Sequence, residues 1–130
     1  MILKNYLGTT LVTIAIIILS TMPIPENAPL DDVPLIDKWV HMLMYAGFAF
    51  TIWFDHVIRN KKTISWKHYL CIFLYATLLG GLMELVQANL TTCRSGEWID
   101  FEADAIGAAI GIGLSILVNK LWAEKISVQS

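Results

Sequence analysis

The side chains of this chain that could do chemistry fall into four short blocks: Asp37, Lys38, His41 and Tyr45; Glu84 and Gln87; Arg94; Asp100 and Asp104. Residues four apart share a helix face, so Asp37, His41 and Tyr45 would form one stripe about 12 Å long, and Asp100 and Asp104 another. Glu84 and Gln87, three apart, also share a face. His41 and Glu84 are the groups suited to general acid–base work, and Lys38 and Arg94 are suited to holding a phosphate. The four carboxylates outnumber Lys38 and Arg94, so a fully ionised set is net negative and disfavours a bare phosphate. Two solutions remain open: some carboxylates are protonated or internally paired, or a divalent cation bridges them to an anionic headgroup. The chain has no HExxH or other close ligand spacing, so no metal site is assigned from spacing and no cofactor is expected. Thr91, Thr92, Cys93 and Ser95 carry no recognisable nucleophile motif.

The elements that must position these groups follow from composition. The 130 residues are 56% hydrophobic and only 15% charged, with a mean hydropathy of +0.61, whereas charged residues approach about 25% in soluble domains. A bilayer-spanning helix needs roughly 20 apolar residues, and four apolar runs are present, over 6–22, 37–58, 69–89 and 101–122. The expectation is an all-α membrane protein, a single four-transmembrane-helix bundle over 1–130 with no room for a soluble catalytic domain. A net charge of −2 argues against nucleic acid as a partner. Lys4, Arg59, Lys61, Lys62, Lys67, Lys120 and Lys125 share one side of such a bundle. The positive-inside rule then places both termini in the cytoplasm and all four chemical blocks at the outer ends of the helices.

A secretory-signal reading of the first run competes, since Lys4 precedes a short apolar stretch, but no small-x-small cleavage site follows. Cys71 and Cys93 are 22 residues apart, about 33 Å along a helix, too far for an intramolecular disulfide. Gly107 and Gly111, with Ala105, Ala108 and Ala109, read as a close-packing face between helices.

The pattern Asp37-Lys38-x-x-His41-x-x-x-Tyr45, Glu84-x-x-Gln87, Arg94, Asp100-x-x-x-Asp104-x-x-Gly107-x-x-x-Gly111 resembles the VanZ-like family, named for a teicoplanin-resistance membrane protein. The family pattern often has Asn where this chain has Asp104. The resemblance implies a small multi-pass protein of the bacterial cytoplasmic (inner) membrane acting on the cell envelope, with glycopeptide resistance as one outcome.

Three functional readings follow. In the first, an outward-facing pocket built from Asp37, Lys38, Tyr45, Gln87, Arg94, Asp100 and Asp104 binds a membrane lipid or lipid-linked envelope precursor. In the second, His41 and Glu84 act on that molecule as catalytic acid and base. In the third, the polar groups form a closed network in a structural or partner-binding bundle: His41 and Glu84 hydrogen-bond each other, Asp37 and Asp100 serve helix N-termini, and Lys38 snorkels. A transport pathway would require a homo-oligomer.

Overall fold

A computed structural model describes residues 2–22, 35–60, 64–90 and 98–129. Among them there are helices and no strand: a single turn, α1 (Ile2–Asn5), and four longer helices, α2 (Leu7–Thr21), α3 (Ile36–Asn60), α4 (Trp66–Leu90) and α5 (Trp98–Gln129). The last three each extend beyond the apolar runs read from the sequence. α2 is shorter than its run, and its 15 residues span about 22 Å against about 30 Å of bilayer hydrocarbon.

Two stretches, Trp66–Leu90 and Trp98–Lys125, are long and apolar enough to cross a membrane. α3 has the length but not the average apolarity, because Asp37, Lys38, His41, Asp55, His56 and Arg59 all lie on it. Its polar residues are directional: His41 and Tyr45 share a buried stripe with Phe48, Ala49, Trp53 and Val57. The outward faces are apolar instead, with Leu43 72%, Leu78 71% and Leu85 63% exposed. His41, Glu84, Gln87, Asp100, Asp104 and Ser115 are inside. An apolar outer face around an interior that holds these polar groups among apolar ones such as Phe48, Ala49 and Trp53 suits a hydrocarbon surround.

Helix directions follow from paired contacts. Lys38 meets Asp100 and His41 meets Asp104, while Gly107 and Gly111 lie against Met42 and Ala46. Both numbers rise together, so α3 and α5 run parallel. Gly80 faces Asp104 and Gly81 faces Phe101, so α4 is antiparallel to both. Gln87 donates from Nε2 to the Ser20 carbonyl at 2.9 Å, joining the ends of α2 and α4. α3 and α5 meet backbone to backbone: a Cβ on Gly107 or Gly111 would collide with the backbone carbonyl of Met42 or Ala46. Small residues at this spacing let two backbones touch, which is how helices associate without water to drive them together.

The helix starts at the two ends of this frame are built differently. α3 starts at Leu35, whose φ of 58° is left-handed and whose carbonyl accepts from Trp39 N–H. α2 starts after Tyr6, which makes no side-chain cap bond. Asp55 of α3 supplies the cap: its Oδ2 accepts from Thr9 N–H at 2.7 Å and from Thr9 Oγ1 at 2.8 Å. Gly8 leaves room for it, since a Cβ there would stand 2.9 Å from Asp55 Oδ1.

Candidate functional site

The polar residues of α3, α4 and α5 meet at one end of the bundle, at the start of α3 and α5 and the end of α4. His41 is the hub. Its Nδ1 donates to Asp104 Oδ1 at 2.8 Å and lies 4.0 Å from Glu84 Oε1. Its Nε2 lies 3.9 Å from Asp37 Oδ1, one turn earlier on the same helix. The sequence suggested Glu84 as the hydrogen-bond partner of His41. Asp104 takes that position because parallel packing of α3 on α5 brings the fourth residue past Asp100 level with His41.

Above this centre, Lys38 Nζ stands 2.5 Å from Asp100 Oδ1 and 3.5 Å from Asp37 Oδ2. Burial increases along the stripe: the Asp37 side chain is 43% exposed, Lys38 17%, His41 4% and Asp104 1%. The arrangement is a polar shaft with an ion pair at its rim and an imidazole between carboxylates at its floor. Tyr45, one turn below His41, is buried, and its hydroxyl has no hydrogen-bond partner among the described residues.

Gln87 is buried one turn from Glu84, and its amide nitrogen is engaged by the Ser20 carbonyl on α2. The Gln87 bond therefore ties α2 to α4. Arg94 lies outside the described residues, as do Thr91, Thr92, Cys93 and Ser95. Gly107 and Gly111 stand at the α3–α5 contact, one turn and more below the shaft.

Two features of the site were not read from the sequence. Gly80 is one: a Cβ there would meet Asp104 Oδ2 at 2.8 Å, so the bare backbone of α4 makes room for the buried carboxylate. The Gly80-Gly81 pair in the middle of an apolar run was the available signal. The other is a groove of about 570 Å³ between α4 and α5, lined by Leu78, Gly81, Leu82, Glu84, Trp98 and Phe101 among others. Its wall is almost wholly apolar, and Glu84 is the acidic residue that joins it to the shaft. The groove depends on interhelix spacing, which no single-helix pattern encodes.

At the opposite end, Tyr6 Oη and His56 Nδ1 are hydrogen-bonded at 3.0 Å, and His56 and His68 have ring centroids 5.0 Å apart. Compared with family models, curated proteins and solved structures, the chain matches none.

Proposed function

We propose that this chain is a VanZ-like protein of the bacterial envelope that crosses the cytoplasmic membrane four times with both termini inside. In this reading it binds an amphiphile, a lipid or lipid-linked precursor, with the headgroup at the shaft and an acyl chain in the α4–α5 groove. Glycopeptide resistance would follow from holding such a precursor. The observation that carries the reading is the continuity of the two surfaces through Glu84, which lines the groove and faces His41. Ligand sites combine an apolar wall with a few convergent polar groups in this way. The groove also adjoins the outward apolar face carrying Leu78, Leu82 and Leu85, so a bilayer lipid could enter sideways without crossing water.

The test is mass spectrometry of lipids copurifying with the full chain in mild detergent. Wild type should be enriched in a phosphate-bearing lipid relative to bulk membrane. Ala88→Trp, which fills the groove from an exposed position, and Lys38→Ala, at the rim, should both lose the enrichment. A wild-type profile equal to bulk membrane, or one that neither variant changes, overturns the reading.

A second reading, acid–base catalysis on the same molecule, is favoured by one observation, the His41–Asp104 hydrogen bond. A carboxylate that orients an imidazole prepares it to take up a proton. Turnover of labelled lipid that disappears in His41→Ala and Glu84→Gln would separate catalysis from binding.

A further inference from the structure

We propose that the floor of the shaft is a divalent-cation site whose ligands are His41 Nδ1, Glu84 and Asp104. These residues come from three different helices, all three are buried, and one ligand atom from each lies within 4.8 Å of the others. Ligands bound at about 2.0–2.2 Å to one ion stand about 3–3.6 Å apart. His41 Nδ1 is already 2.8 Å from Asp104 and 4.0 Å from Glu84, so side-chain adjustments of under about 1 Å would close the set around an ion of that size.

Acidic residues alone would not make a site. An independent observation is the phenol of Tyr45, one turn below His41 and 1% exposed, whose hydroxyl lacks a hydrogen-bond partner among the described residues. Asp104 Oδ2 also has none. A buried hydroxyl with no partner is costly. A cation carrying a water at this position would engage both the hydroxyl and the second carboxylate oxygen.

The imidazole is arranged for the exchange. A cation at Nδ1 displaces the proton now shared with Asp104, and a tautomer shift places that one proton on Nε2, so the ring stays neutral with its N–H facing Asp37 at 3.9 Å. A ligating histidine that gives its other N–H to a carboxylate is the usual way its tautomer is held. Asp37, His41 and Asp100 form a second group with ligand spacing. That group is the weaker choice, because Asp100 is paired with Lys38 and Asp37 is nearly half exposed.

One nitrogen and two carboxylates, with no thiolate, suit Zn²⁺ or Mn²⁺ and not Cu(I). Among the described residues of the shaft itself, the four carboxylates Asp37, Glu84, Asp100 and Asp104 stand against Lys38 and His41, so a divalent ion would also make the shaft hospitable to a phosphate. That use of the ion rests on the headgroup reading above; the cation site itself does not.

The probe is Zn²⁺ alone. The full chain in detergent is stripped with EDTA and titrated by calorimetry, with His68→Ala and Cys71→Ser in the background to remove soft ligands at the other end. One ion per chain is expected. Asp104→Asn, which keeps the shape and an acceptor for His41, and Glu84→Gln should each weaken binding at least 100-fold while the thermal midpoint of the metal-free protein stays within a few degrees. Tyr45→Phe should weaken it about tenfold. No binding, or binding that Asp104→Asn and Glu84→Gln leave unchanged, overturns the proposal. Zinc binding without lipid enrichment removes the headgroup reading alone, and lipid enrichment without zinc binding removes the cation site alone.

Discussion

Replacing Gly107 by Ala adds one methyl group at the α3–α5 contact, and the structure predicts a cost set by what that methyl meets. Its Cβ would fall on the Met42 carbonyl, a backbone group that cannot rotate away. Overpacking of this kind costs about 1–3 kcal/mol. The same change also removes a helix-interior glycine, a gain of up to about 1 kcal/mol. Gly113→Ala isolates the first term, because Gly113 lies on the same helix with nothing within 4 Å of its Cβ position. Gly47→Ala is the matching control on α3, again with open space. The helix-propensity gain cancels between variants, so Gly107→Ala should fall below Gly113→Ala by the overpacking term. At about 3–5 °C per kcal/mol for a domain of this size, the difference is about 3–15 °C. The assay is thermal unfolding in one detergent, followed by loss of the monodisperse chromatographic peak. Gly111→Ala, against Ala46, should behave like Gly107→Ala. Equal midpoints for Gly107→Ala and Gly113→Ala would refute the close approach of α3 and α5 and the register drawn from it.

Asp55→Ala removes the acceptor for two donors of Thr9, so α2 should fray at its start by about 0.5–2 kcal/mol, read as faster amide hydrogen exchange at Thr9 and Thr10 with little change in α5. Unchanged exchange at Thr9 would show that Asp55 does not cap α2. For the four-span topology, alkaline phosphatase fused after Leu90 should be active in the periplasm and the same enzyme fused after Asn60 inactive. A fluorescent protein fused after Ser130 should be bright. The reverse pattern would invert the orientation, and activity at both positions would remove a span.

The apolar runs, the all-helical class and the placing of chemistry on helix faces were determined by the sequence itself. These properties follow from local periodicity: residues 37, 41 and 45 share a stripe in any helix, whatever lies opposite. Average hydropathy carried less. It could not distinguish α3, which turns His41 inward and Leu43 outward, from a helix polar all round, because an average has no direction.

Partner choice was decided by the tertiary structure. His41 is bonded to Asp104, with Glu84 standing off at 4.0 Å. Gln87 is turned toward α2 by the Ser20 carbonyl, and Asp55 of α3 caps a different helix, α2. Gly80 admits the buried carboxylate, and a groove opens beside it between α4 and α5. Each of these depends on how far apart two helices sit and in what register. That distance is set where Gly107 and Gly111 let α5 rest on the backbone of α3. One helix's pattern names the face that must be covered, but the depth and register of the covering exist only once both helices are in place.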